Sequence, residues 1–268
     1  MYQYLINQRF SIIIFSVLTL LIISSCSSSV QTTSTFNDNQ IVVDGSYKDW
    51  GTSINYVKDD NIAFGFKNDK DNFYIAIVTA DRSKIMKILS GGLTVWISSD
   101  KDKIGIEFPL KLDPGELQEI KPLQNNPDVP FEGGDRIKAL IQKNNQLQII
   151  DKNNQLLYTG SASLGPDFVC KLNYDSNQLV YEIKIPMTNN DIAQKIFSNN
   201  LDKIEVSFVT GEIERKEDKE NRHSNIMTND EGFQNYPDDG NNGMGNRQQR
   251  GKMDFKPLEY SFEVTLSK

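Results

Sequence analysis

Apolar and polar positions alternate with a period of two through most of this chain. The last apolar stretch is the clearest. Leu258, Tyr260, Phe262, Val264 and Leu266 are separated by Glu259, Ser261, Glu263 and Thr265, which predicts a strand with one buried and one solvated face. Residues 62–67 alternate in the same way, with Ile62, Phe64 and Phe66 on one face. Residues 73–80 form a continuous apolar run behind the turn signal at 68–72, which suits a central strand covered on both sides. Polar loops separate three pairs of runs, 93–97 with 104–108, 147–150 with 156–158, and 168–172 with 179–185, each read as a hairpin. Residues 203–209 add a strand with Ile204, Val206 and Phe208 inward. Helical spacing is confined to 82–89, where Gly91 and Gly92 stop it, and to 135–142. Many short strands with little helix predict an all-β fold: an antiparallel two-sheet β-sandwich, immunoglobulin- or jelly-roll-like, with a few short helices.

The two ends of the pattern differ from its middle. Arg9 is the only charge before an apolar run from Phe10 to Ile23, and small residues follow at once. That run is shorter than the ~20 residues a membrane-spanning helix needs, and its flanks are those of a secretory signal peptide. Ile23-Ser24-Ser25-Cys26 resembles the bacterial lipobox, so residues 1–25 are read as a lipoprotein signal and Cys26 as the lipidated residue. Ser27 stands where an inner-membrane retention signal would have Asp, and no acidic cluster resembling a surface-export tag follows Cys26. The expected location is therefore the bacterial envelope, anchored in the outer membrane, with its side open. Residues 26–39 are rich in Ser, Thr, Asn and Gln and read as a flexible tether. Residues 40–268 are then a single sandwich domain. It is interrupted at about 212–256 by a charged and then Gly/Asn-rich segment too poor in apolar residues to pack, expected to be a long disordered insert.

A net charge of −7 without a basic stripe argues against nucleic acid as a partner. With Cys26 committed to lipid, Cys170 is the remaining cysteine, so no disulfide between side chains of one chain can form. Cys170 stands in an alternating run and reads as a buried strand thiol. His223, the single histidine, lies in the 212–256 segment. Neither a nucleophile motif, a histidine pair for a metal nor a Gly-rich phosphate loop appears, so no enzyme activity, cofactor or metal is expected. Asp100 and Asp102 could face a cation, but they lack the spaced set of oxygen ligands calcium requires and read as a charged hairpin tip.

The stretch Ile41-Val42-Val43-Asp44-Gly45-Ser46-Tyr47-Lys48-Asp49-Trp50 allows two readings, a ligand-binding aromatic or a corner that tucks Trp50 over its own core. Three motifs give it context: this entry, the run 71–81 ending in Thr79-Ala80-Asp81, and Tyr181-Glu182-Ile183-Lys184-Ile185-Pro186. In that order they resemble the carbohydrate-binding module family nine and DOMON-like β-sandwich group. Residues 91–100 and 105–110 look like a lipoprotein branch of it, in which a Gly/Met/Arg-rich loop precedes the last strand. The resemblance implies that Trp50 packs behind the entry turn and that Asp44 holds the turn through backbone amides, as short acids do.

Sugar-binding members of the group stack a saccharide on exposed tryptophans. The only other tryptophan is Trp96, which by parity shares a face with Thr94 and Ser98. It is either a stacking platform or a residue covered by one of the long loops. Heme-binding members use His, Met or Lys as axial ligands, and no such pair stands on an expected strand. The function expected is that of a non-catalytic, lipid-anchored envelope protein binding a saccharide or another envelope component, with Trp96 as the candidate ligand-binding residue. The alternative is a structural or interaction protein of the envelope without a small-molecule site, using the 212–256 segment as its contact element.

Overall fold

The alternation along the chain becomes two facing sheets in a computed structural model that describes residues 29–38, 41–57, 59–113, 115, 133–162, 167–197, 201–212 and 256–268. The chain begins with β1 (Val30–Thr33) and β2 (Thr35–Phe36), then a 3-10 turn (Lys48–Ser53). Strands β3 (Ile54–Val57), β4 (Ile62–Asn68) and β5 (Asn72–Thr79) follow, then helix α1 (Arg82–Gly91). The hairpin β6 (Leu93–Ser98) and β7 (Lys103–Glu107) precedes α2 (Gly133–Lys143). Strands β8 (Gln146–Asp151), β9 (Leu156–Ser161), β10 (Val169–Asp175) and β11 (Gln178–Pro186) lead to the short α3 (Gln194–Phe197). Strands β12 (Lys203–Thr210) and β13 (Glu259–Thr265) close the fold.

Among the described residues, seven strands form one sheet in the order β1-β13-β12-β6-β7-β8-β9. The other sheet runs β10-β11-β5-β4-β2, with β3 paired to β4. The three hairpins expected from the sequence are present as β6/β7, β8/β9 and β10/β11. β5 lies between β4 and β11, the central place its unbroken apolar run demands. Inward residues such as Val95, Ile97 and Phe208 of the larger sheet meet Phe64, Ile75 and Ile183 of the smaller in one core. Phe64, Phe66, Phe208 and Phe262 form an aromatic cluster across the gap, with ring centroids 4.8–6.4 Å apart.

The first strands of the chain differ from the sequence expectation. The sheets are mixed: β1 pairs parallel to β13 and β2 parallel to β4, while the other pairings are antiparallel. Both parallel strands come from residues 30–36, which composition placed in a flexible tether. This segment crosses from the edge of one sheet to the edge of the other at Ser34, which is 2% exposed. The Ser34 amide donates to the Thr265 carbonyl at 2.9 Å and its hydroxyl donates to Asn68 Oδ1 at 2.5 Å. The Ser267 amide donates to Ser34 Oγ at 3.0 Å. Backbone ladders and one buried polar joint hold the segment, so its apolar pattern carries little of the signal.

The 212–256 insert lies, but for its two ends, outside the described residues. Its flanking strands behave as expected: β12 and β13 pair antiparallel from Lys203↔Thr265 to Val209↔Glu259.

Candidate ligand-binding face

Each sheet carries one tryptophan on its outer face, and each indole lies over a glycine of a neighbouring element. On the smaller sheet, Trp50 covers Gly65 of β4, where a Cβ would come within 2.8 Å of the ring. On the larger, Trp96 of β6 faces Gly105 of β7, where a Cβ would come within 3.0 Å of its ring. A lysine two positions from each glycine reaches the ring: Lys67 Nζ is 5.6 Å from the Trp50 centroid and Lys103 Nζ 4.5 Å from that of Trp96. The two sites diverge in what covers them.

Trp50 is 1% exposed and packs with Ile41, Tyr74 and Ala76 in a small cluster outside the main core. Its Nε1 donates to Glu182 Oε1 at 2.6 Å, and the Gly45 amide donates to Glu182 Oε2 at 2.6 Å. Gly45 has φ +82°, a backbone conformation that side chains disfavour, so the turn needs glycine there. Asp44 Oδ1 accepts from the Ser46 amide at 2.8 Å, the turn-holding role the resemblance implied. Glu182 is fully buried, and burial raises its pKa above the ordinary glutamate value. The Trp50 and Gly45 donors pull it back, and the charges of Asp49 and Asp44 add to the rise. Trp50 is thus a corner residue, and the binding reading of it is closed by burial.

Trp96 lies on the open side. Val95 and Ile97 point into the core at 0% exposure, whereas Thr94, Trp96 and Ser98 are partly exposed. The strand partners of Trp96 are Gly105 on one side and Ser207 on the other, both too small to enclose an indole. Beside it runs a polar row. Ser261 Oγ donates to Glu205 Oε1 at 3.0 Å, Ser98 Oγ donates to Glu205 Oε2 at 3.4 Å, and the Ser207 and Ser261 hydroxyls are 3.2 Å apart. The result is a partly exposed indole with the Lys103 ammonium over its ring and a row of hydroxyls and a carboxylate beside it. Such a surface can stack an apolar ring face and exchange hydrogen bonds at its rim.

Of the other sequence candidates, Cys26 and His223 lie outside the described residues. Cys170 is 1% exposed, and burial pushes its thiol pKa well up, which leaves it inert. Asp102 serves its hairpin tip: its Oδ1 accepts from the Lys103 amide at 2.9 Å, and its carbonyl accepts from the Ser99 amide at 3.0 Å. Among the described residues no group of three or more His, Cys, Asp or Glu is arranged to hold a metal. Thr79 and Asp81 of the second motif are structural: Asp81 caps α1 by accepting from the Ser83 and Lys84 amides. Sequence reasoning misses Glu182, whose signal is an acid set between Leu179-Val180-Tyr181 and Ile183 in β11.

No protein-family model matches the chain, and no curated protein matches it. Solved structures similar to it include two carbohydrate binding modules. One is a carbohydrate binding module of family 9 from Caldicellulosiruptor kristjanssonii in complex with glucose, with a TM-score of 0.31 and 10% identity, covering 67% of this chain and 77% of that one. The other is a family 9 module from the same organism in complex with cellotriose, with a TM-score of 0.31 and 11% identity, covering 68% of this chain and 76% of that one.

Proposed function

We propose that this protein is a non-catalytic, lipid-anchored envelope protein that binds a saccharide on the outer face of its larger sheet, with Trp96 as the stacking platform. The observation that carries the reading is the setting of Trp96: a partly exposed indole seated against Gly105, with the mobile Lys103 side chain over its ring and the Ser98–Glu205–Ser261 row beside it. A pyranose offers an apolar C–H face and a rim of hydroxyls, which this surface complements. Two carboxylates with displaced pKa values, Glu182 and Asp69, are engaged in structural bonds with Trp50 and Tyr74 and belong to the fold. The Ile23-Ser24-Ser25-Cys26 motif supports attachment through Cys26.

Fluorescence and calorimetric titration against a panel of neutral and acidic oligosaccharides tests the binding reading. Because Trp50 is buried, a change in emission reports on Trp96. Saccharide binding that Trp96→Ala abolishes is expected. A panel without any binder, or binding untouched by that substitution, would favour the envelope interaction protein instead. Anchoring is checked separately: palmitate labelling should be lost in Cys26→Ala, and labelling that persists would refute it.

A further inference from the structure

We propose that the domain rests directly against a phospholipid bilayer at one corner, where the open edge of β1 meets the end of the sandwich capped by α1. This rests on lipidation of Cys26 and adds the surface and orientation of contact. Val30 is already paired with Phe262 in the β1–β13 ladder. Cys26 is four Cα steps upstream, at most about 14 Å of extended chain at ~3.6 Å each.

The ladder sets where that short lead starts. Since β1 runs parallel to β13, Val30 is the end of β1 nearer to where β13 begins at Glu259. β12 finishes and β6 starts at the same end, through the pairing of Thr210 with Leu93. Helix α1 covers it: Lys84 Nζ donates to Tyr260 Oη at 3.3 Å, and the Gly211 amide donates to the Gly91 carbonyl at 3.2 Å. Glu259 lies three residues beyond the Val30 level, about 10 Å at ~3.3 Å per residue. A Cys26 seated in the headgroups therefore cannot stand more than about 4 Å past this end, nor about 14 Å out from the β1 edge. The described surface within that reach, from which the 212–256 segment also departs, is the part of the domain turned to the bilayer.

That surface suits the contact. Val30 presents an apolar side chain that is 57% exposed on the edge nearest the anchor. Exposed Arg82, Lys111 and Lys256 are balanced in number by exposed Asp113, Glu212 and Glu259, so tether length and not charge sets the orientation. Trp96 lies on β6, three strands in from β1, or about 14 Å at ~4.8 Å per strand. The saccharide face is thereby held close to the headgroups, and the ligand it meets is membrane-proximal.

The test uses the full-length lipidated protein, purified from membranes and reconstituted in phosphatidylcholine vesicles doped with a nitroxide-headgroup lipid. A fluorophore is attached through Arg82→Cys at the near end or Lys70→Cys at the far end. Buried Cys170 does not compete for label. Quenching is expected at position 82 and not at position 70, and should persist in about 1 M salt, where charge attraction beyond ~3 Å is screened. A flexible Gly/Ser insert of about twelve residues between Ser28 and Ser29, with a mean span of roughly 20 Å, should abolish the difference. Equal quenching at both positions in a vesicle-bound, lipidated protein would overturn the orientation while leaving the anchor intact. A mass spectrum without lipid on Cys26 would overturn both.

Discussion

Trp50 and Glu182, 132 positions apart in sequence, are joined by a 2.6 Å hydrogen bond that locks the entry corner onto the middle of the smaller sheet. Glu182 Oε2 holds the Gly45 amide at the same time, so one carboxylate fixes both the turn and the aromatic. Trp50→Ala removes a fully buried ring and should cost about 3–5 kcal/mol in denaturant unfolding. Trp50→Phe keeps most of the packing but takes a donor from a buried carboxylate, at about 1–3 kcal/mol. Glu182→Ala strands two donors and should cost at least as much as Trp50→Phe. A Trp50→Ala variant with unaltered stability would mean the corner is not part of the cooperative core.

The pH dependence of stability separates Glu182 from Asp69. The pKa of Glu182 in the fold is raised above 4.5, chiefly by burial. Its contribution is therefore fully present below about pH 4.5 and is lost as pH rises through the folded value. Asp69 behaves in the opposite sense. Burial opposes its ionisation, but the Tyr74 hydroxyl and the Asp71 and Asn72 amides outweigh burial and hold it below 3.8. Its contribution is present above about pH 3.8 and lost as pH falls through the lower folded value. Melting temperatures measured across this range should show wild type losing ground to Glu182→Gln as pH rises, and to Asp69→Asn as pH falls. Parallel curves for wild type and either variant would refute the assignment for that residue.

At the open face, Trp96 and Gly105 should act together. Trp96→Ala gives up a partly exposed ring and a lysine contact of about 0.5–1 kcal/mol, so the melting temperature should change little while saccharide binding is lost. Gly105→Ala places a methyl 3.0 Å from the indole and 2.9 Å from Ile150, so the ring and the Ile150 side chain must both shift. That variant should remain folded by circular dichroism but bind more weakly than wild type. Loss of fold in Trp96→Ala would show the ring to be core, and would end the platform reading.

The parts of the fold legible in sequence are those where apolar burial sets the pattern. Ile204, Val206 and Phe208 alternate because one face of β12 packs on the core, and the unbroken run of β5 reflects cover on both sides by the core and the corner. Residues 30–36 escaped because their strands are held by backbone pairing to sheet edges and by Ser34, which leaves no hydrophobic period to read. Strand β3 escaped similarly, since Asn55 and Tyr56 are exposed and only Ile54 and Val57 lean inward. At the candidate site, parity alone placed Trp96 on the outer face. Its seat on Gly105 and the Ser98–Glu205–Ser261 row required strand register across β7, β12 and β13, which a sequence does not state.

The ends of the 212–256 insert are clasped independently of what lies between them. The Thr210 amide donates to the Leu258 carbonyl at 3.1 Å, and the Leu258 amide donates back to Thr210 Oγ1 at 2.8 Å. Behind this clasp β12 and β13 are paired along their lengths, with Val206, Phe208, Phe262 and Val264 buried in the core. Closing a long loop costs only about 0.6 kcal/mol more for each doubling of its length. Its polar composition offers little apolar area against the roughly 1–2 kcal/mol per residue of backbone ordering. Replacing residues 217–251 by a short Gly/Ser linker should therefore leave the melting temperature nearly unchanged, and limited proteolysis of the native protein should cut first within that span. Thr210→Val, which removes the hydroxyl acceptor but keeps the shape, should destabilise more than the whole replacement. Collapse of the shortened protein, or resistance of 217–251 to protease, would show that the insert packs on the sandwich and contributes to its core.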